Sequence, residues 1–477
     1  MKKFLTIAIA LLVLLPFTGC SVDRALAPET RADVSTQTLD PATLAADLLR
    51  QTGWEPAEDQ TLPETSADKL AGPLTFIERT EVAPGIAHYY WEVQVSAAPE
   101  DRIGLHRVVR EKRPGVPERS RLPVFLQHGD AKNFVGMFLP GTLSATMPDD
   151  FGAAIYWARA GIDVWGIDQA WNLVTAGTTD FTFMANWGVD KQYRDLQLGV
   201  AIARLARLLT GNGFGLIDLL GYSSGSVTGY ALVNAETQLP PGLRQIGGWI
   251  PVDYSPITDN EDWNTIQNCD YVPGLQAQID AGDYGYFVGF DYLGNLARDD
   301  PDGDSPMIPG FTNLQTAIWF GAGPIFNVGG IHYLAGIWEN ELPVDLVHVT
   351  VEQWLDFMVA GAPWEPVRFI LDYAIWGCME QDVPWDDHFA EITVPVLNIA
   401  PAGGIGPTTH WCLSQLGSND ITDLTIQLLP DDQALYDYGH IDLWIGRESP
   451  ELVWQPILDW IVAHGHRGHG NSVAHAH

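Results

Sequence analysis

The chain has 477 residues, 46% of them hydrophobic, which is enough to bury a large core; one large domain with an insertion, or two domains, is expected, and a disordered chain is excluded. Its formal charge of −35 argues against nucleic acid as a partner. With six lysines in the whole chain, so large an acid excess suits a salty medium that screens self-repulsion.

In chain order, residues 1–20 (MKKFLTIAIALLVLLPFTGC) combine two lysines with an apolar stretch from Phe4 to Leu15 that is short for a bilayer span, which reads as an export signal outside the fold. Phe17-Thr18-Gly19-Cys20 resembles a bacterial lipobox. The resemblance implies lipid attachment at Cys20, contact with a membrane through that anchor and, with Ser21 next in line, retention at the outer membrane of a bacterial cell envelope; an ordinary cleaved secretion signal is the alternative. Residues 21–70, rich in Ala, Thr, Asp and Pro with a short helical pattern at Pro41 to Gln51, read as a tether. With Cys20 lipidated, Cys269, Cys378 and Cys412 remain, so one disulfide among them and one unpaired thiol are expected in an oxidising compartment. No zinc-type cysteine spacing occurs.

From about Tyr89 the pattern becomes strand-like. Tyr89 to Val95 and Ile103 to Lys112 form a predicted antiparallel hairpin, whose Arg107, Arg110, Lys112 and Arg113 read as a solvated edge. Apolar runs at Leu122 to Gln127, Gly161 to Ile167, Gly215 to Gly221 and Gln245 to Val252 then alternate with helical periods, as in a parallel sheet with crossover helices. Leu198, Ile202, Leu205 and Leu209 mark the apolar face of one such helix, and another begins at Ser224. The alternation stops from Asp253 to Glu391, resumes at Val394 to Ala400 and Leu424 to Leu429, and ends in an amphipathic helix opened by Ser449.

Gly221-Tyr222-Ser223-Ser224-Gly225 fits G-x-S-x-G between a strand and a helix. The turn is tight enough to need both glycines; it leaves Ser223 exposed as a nucleophile and the Ser224 N–H free to meet an oxyanion. A second oxyanion N–H is expected from Asp130, after Gly129, with the Asp130 side chain turned away; His128 reads as a structural residue. The general base has to follow the nucleophile, and His440, after the last strand, stands ahead of His332, His348, His388 and His410.

These features place the chain in resemblance to the α/β-hydrolase superfamily, and within it the acid lipases of the gastric and lysosomal type. The stretches QHGDAKN (127–133), AGIDVWGIDQAWN (160–172), FTFMANWGVDKQYRDL leading to GYSSGS, and YGHIDLWIG (438–446) follow that family's order, over roughly residues 122–253 and 392–463. The resemblance implies an α/β-hydrolase fold, a mostly parallel sheet with flanking helices and a large cap insertion. It also implies ester hydrolysis of apolar acyl chains, a small-molecule ester or lipid substrate, no cofactor, and Ser223 and His440 in catalytic positions.

One departure stands out. Where the family carries its triad aspartate, PVLNIAPAGGIGPTTHW (395–411) has no carboxylate, and the matching position is Gly404 or its neighbour. The acid is expected at Asp253, at the end of the preceding core strand, with Asp420 or no acid at all as alternatives; Asp442 is expected to face elsewhere. A nucleotide-binding reading of AGGIG fails for want of a phosphate-loop pattern or a basic residue.

The insertion holds Trp263, Trp319, Trp338, Trp354, Trp364, Trp376 and Trp385, as cap core or as the lining of an acyl pocket. Its Asp299–Asp304 run has carboxylates at alternate positions but lacks the downstream glutamate of a calcium loop, so no metal is assigned. The expected organisation is signal 1–20, tether 21–70, hydrolase core 71–254, cap 255–391, core 392–463 and a His-rich flexible tail 464–477. The function this favours is an exported, lipid-anchored serine esterase or lipase; the other class is a hydrolase-like surface protein that binds an apolar ligand with little turnover.

Overall fold

The computed structural model describes residues 74–465 apart from 97, 325–329 and 341. The signal with Cys20, the 21–70 tether and the tail from 466 lie outside the described residues.

A ten-stranded sheet organises the chain. Nine strands run in the order β1 (Leu74–Ala83), β2 (Ile86–Gln94), β3 (Arg102–Arg113), β5 (Asp163–Asp168), β4 (Pro123–Gln127), β6 (Ile217–Tyr222), β7 (Ile246–Val252), β8 (Val396–Pro401), β9 (Ile421–Ile426), and the two-residue strand Val116–Pro117 pairs with β3. The first three strands are antiparallel, β3 meets β5 antiparallel, and every pair from β5 to β9 is parallel. The mostly parallel sheet expected from the sequence is therefore present.

The central strands are apolar along their whole length because helices cover both faces. Every residue of β4, β5 and β6 is buried. On β4, Val124 and Leu126 join the core under α1 (Ala153–Arg159) and the C-terminal helix, whereas Phe125 joins the opposite core under α2 (Val189–Leu209) and α3 (Ser224–Thr237). The two-residue period of a strand thus divides one apolar run between two cores.

Four local expectations need correction. β1 went unforeseen because its charged sequence is largely exposed, which leaves no periodic signal. β3 is an interior strand, and Arg107 is buried in an ion pair with Asp163; Arg110, Lys112 and Arg113 are exposed as expected. The last strand starts at Ile421, three residues before the predicted run, since as a mostly exposed edge it has few apolar residues to mark it. Ser449 does not cap the final helix; its hydroxyl donates to the Asp442 carbonyl at 2.6 Å, and the chain passes through a wide turn at Pro450–Trp454.

Between β7 and β8 the chain leaves the sheet and builds α4 (Val272–Asp280), α5 (Phe290–Asp299), α6 (Asn313–Ala322), α7 (Val351–Val359) and α8 (Val367–Cys378) before returning, and α9 (Gln455–His464) closes the described chain. Thr312 and Thr350 open α6 and α7 with reciprocal capping boxes. Cys269 and Cys378 form the expected single disulfide and Cys412 is left free, its thiol pushed up to about 12 by burial. Among the described residues no helix is long and apolar enough to cross a membrane.

Candidate active site

The turn from β6 to α3 sets the geometry. Ser223 sits at φ 56° and ψ −129°, a conformation disfavoured for a side chain with a Cβ, and its N–H donates to the Val252 carbonyl at 3.0 Å. A Cβ on Gly221 would lie 2.5 Å from the Gly225 carbonyl oxygen, and one on Gly225 would lie 2.4 Å from that of His128. Both positions therefore exclude any larger residue. Ser226 braces the turn by donating its hydroxyl to the Gly221 carbonyl at 2.7 Å.

His440 arrives on the loop after β9. Its ring stacks on Tyr222, with centroids 4.6 Å apart, and Tyr222 in turn donates its hydroxyl to the His440 carbonyl at 3.1 Å. Nδ1 of His440 lies 2.5 Å from Asp253 Oδ2, so with Nδ1 taken, Nε2 is the ring nitrogen left for chemistry. Asp253 is fully buried at φ 53° just beyond β7, its N–H bonded to the Ile399 carbonyl of β8. Burial pushes its carboxyl above the usual range, opposed by His440 and by the backbone N–H groups of Ile405 and Gly406.

Those two N–H groups belong to the loop that lacks a carboxylate. A Cβ on Gly404 would lie 2.4 Å from Asp253 Oδ2, so the space an acid at 404 would fill already holds the carboxylate of Asp253. The neighbouring strand ends deliver their acid to one place, and the glycine loop wraps it with donors. Asp420 lies at the opposite, amino end of the strands, where its carbonyl accepts the Val396 N–H. Asp442 faces away from His440, accepting from Ala335 N at 2.8 Å and Gly439 N at 2.9 Å.

The four other candidates for the base are tied up elsewhere: His332 with the Ala434 carbonyl, His348 with Glu448, His388 with Glu391 and His410 with Asp423. His128 is buried, its Nδ1 2.8 Å from the Gly129 carbonyl, in keeping with a structural part.

Opposite the elbow, Gly129 lets the β4 loop come close, since a Cβ there would lie 2.6 Å from that of Ser223. Ser224 opens α3, so its N–H has no partner within the helix. The expectation that the Asp130 side chain turns away is not met. Its carboxyl lines the cavity beside Ser223 and His440; burial pushes it up to about 6, while the Ser224 hydroxyl and His440 pull it down. Ala131, next in the chain, is pinned to the cap through Ala362 N, which donates to its carbonyl at 2.8 Å.

The cavity holds about 510 Å³ and lies between the strand ends and the insertion. Its walls are mainly rings and aliphatic chains, among them Tyr254, Trp263, Phe290, Phe320, Tyr333 and Tyr373. Of the seven tryptophans of the insertion, Trp263 reaches the cavity, while Trp354, Trp376 and Trp385 are buried and bond to Ala317, Asp386 and Asp190. Glu365, also in the wall, had no signal in the sequence: it is a single acid in a short strand whose partner, Gly285–Phe287, lies far upstream. Among the described residues, Asp299–Asp304 brings no three ligand atoms within reach of one ion.

No protein-family model matches the sequence, and no curated protein matches it. Solved structures do align. A provisionally named lipase from Sulfolobus solfataricus does so with a TM-score of 0.57 and 18% identity, over 82% of this chain and 99% of its own. A monoacylglycerol lipase of Paleococcus ferrophilus aligns at 0.40 and 13% over 72% and 96%, and an alpha/beta hydrolase fold protein of Nakamurella multipartita at 0.33 and 11% over 77% and 98%. At 18% identity it is the fold that is shared with the Sulfolobus protein.

Proposed function

The chain has the α/β-hydrolase fold, and on that fold we propose a serine hydrolase that cleaves carboxylic esters through an acyl-enzyme. One observation carries the reading: the strained Ser223 elbow and the buried His440–Asp253 pair open onto the same cavity.

In this reading Ser223 Oγ attacks the ester carbonyl carbon, the carbonyl electron pair moves onto oxygen, and the serine proton passes to His440 Nε2. The N–H groups of Asp130 and Ser224 receive the oxyanion. Asp253 accepts the Nδ1 proton's hydrogen bond, fixes the tautomer and offsets the imidazolium charge. The proton is then returned to the departing alcohol, and water repeats the sequence on the acyl-enzyme.

The apolar walls favour an apolar acyl group, in accord with the provisional lipase that shares the fold. Export and anchoring through Cys20 belong to the proposal on the strength of residues 1–20, and an acylated Cys20 peptide from the membrane fraction is the expected mass-spectrometric result.

A fluorophosphonate probe tests the chemistry. A Ser223 adduct in the folded protein, absent in Ser223→Ala, is expected together with turnover on an ester panel. An unlabelled serine with an apolar ligand held in the cavity would instead favour the non-catalytic binder.

A further inference from the structure

The loop that carries the second oxyanion N–H is held by the cap as well as by the core, where Asn172 donates to the Lys132 carbonyl at 2.7 Å. Ala131, at φ 60°, donates its N–H to Glu365 Oε1 at 2.5 Å and accepts the Ala362 N–H at 2.8 Å. Lys132 Nζ donates to the Phe357 carbonyl and lies 3.8 Å from the centre of the Phe357 ring. Two successive residues after Asp130 are thus clamped by one short stretch of the insertion. Asp130 and Glu365 line one cavity wall, and among the described residues neither carboxyl has a lysine or arginine within ion-pair distance.

This poses an electrostatic problem for the proposed reaction, on which the inference rests. A carboxylate in a dry wall beside a developing oxyanion repels it, whereas a carboxylic acid there can donate to it. We propose that Asp130 and Glu365 work as a protonated carboxyl pair: Glu365 positions the oxyanion loop through Ala131, and Asp130 keeps its proton while the tetrahedral intermediate forms beside it.

No proton leaves the pair during turnover; the Ser223 proton goes to His440 as before. The groups that face Asp130 are consistent with this. Ser224 on α3 does not titrate. Tyr222 on β6 and Tyr254 beyond β7 are buried, Tyr286, Tyr333 and Tyr373 of the cap are half-buried, and desolvation pushes all five above their ordinary range, so they stay neutral. His440 must be neutral to act as base. Burial raises the Glu365 carboxyl well above its ordinary range, and a charge on Asp130 would raise it further, so the two carboxyls resist being ionised together. Lys132, which lines the same cavity and donates to the Phe357 carbonyl, is lowered well below its ordinary range by burial, with Asp291 opposing; Asp130→Asn leaves it in place, so a change in the profile of that variant reports on the carboxyl pair.

The test is kcat/KM for p-nitrophenyl butyrate from pH 4.5 to 9, followed at the isosbestic wavelength, with the full chain and its Asp130→Asn, Glu365→Gln and Glu365→Ala variants. Wild type is expected to lose activity above pH 6 by roughly tenfold per pH unit. Asp130→Asn keeps the backbone N–H and cannot ionise, so it should lose that descending limb and exceed wild type at pH 8. Glu365→Gln, which can still accept the Ala131 N–H, should keep turnover and move the limb, whereas Glu365→Ala should be slower at every pH. An Asp130→Asn profile that superposes on wild type, or a folded Asp130→Asn without turnover at any pH, would overturn the inference while Ser223 labelling leaves the serine hydrolase standing. Absence of both labelling and turnover in wild type would overturn the two together.

Discussion

At the amino ends of the parallel strands, Asp163 of β5 is fully buried against two guanidiniums: Arg107 donates to it at 2.7 and 3.1 Å, and Arg207 reaches it from the end of α2. At the carboxyl ends, Asp253 is buried to the same degree but faces an imidazole and backbone N–H groups. Burial pushes both carboxyls up. Arg107 and Arg207 outweigh it at Asp163 and hold that carboxyl below its usual range, whereas Asp253 stays raised. Permanent cations fix a permanent anion, which makes a brace. A titratable partner leaves the anion free to answer a charge that comes and goes.

The largest expected effect is at the carboxyl end. Asp253→Asn should lower kcat by on the order of 10⁴, since an amide can stabilise the wrong tautomer and cannot offset imidazolium. Its thermal midpoint should change little, because the replacement is nearly isosteric. Turnover within tenfold of wild type would break the contrast by making Asp253 another brace.

Asp163→Ala is the converse experiment. It leaves Arg107 and Arg207 buried and facing each other, so a loss of about 3–5 kcal/mol in denaturant-measured stability is expected. The folded fraction should keep the kcat of wild type. A large drop in kcat without loss of stability would show that the two ends are not divided as described.

How much of this could be read from the sequence differs in the same way between regions. The elbow was legible because its backbone admits little but glycine at 221 and 225, and Asp253 because it directly follows an apolar strand whose end faces the histidine loop. Arg107 was misread since its partner lies 56 residues away, on a strand whose antiparallel pairing with β3 has no local signature. Glu365 was invisible for a related reason. The insertion mixes short helices with three- to five-residue strands, so no period separates a cavity wall from cap core. The cap contacts that hold Ala131, next to Asp130, join residues 234 positions apart, which no local pattern encodes.

A smaller effect sharpens the account of the missing acid. Gly404→Ala would press a methyl against Asp253 Oδ2, and overpacking of this kind costs about 1–3 kcal/mol. The loss should appear in both stability and kcat, because the displaced group is the one that orients His440. An alanine that is neutral in both assays would mean that the loop yields freely and does not fix Asp253.

Asp218 supplies the finest test, for it lies near the amino end of β6, five residues before Ser223, buried and, among the described residues, without a cation in ion-pair distance. Burial alone pushes its carboxyl up to about 7, so the folded chain holds a proton there that the unfolded chain releases near the ordinary value of 3.8. Its stabilising contribution is therefore complete below that value and is lost as pH rises through 7, with a slope of at most about 1.4 kcal/mol per pH unit. The difference between wild type and Asp218→Asn across pH 6.5 to 8 isolates it. His88 and His332, lowered by burial to about 3 and 4, still take up protons on unfolding near pH 6.5, and Asp130, Asp195 and Asp442, raised to about 6, still hold some when folded, but these contributions are common to wild type and Asp218→Asn. The denaturant midpoint of wild type should fall relative to that of Asp218→Asn across that window. Equal slopes would mean that an amino-end acid can be charged without a guanidinium, and the rule drawn from Asp163 would not extend beyond it.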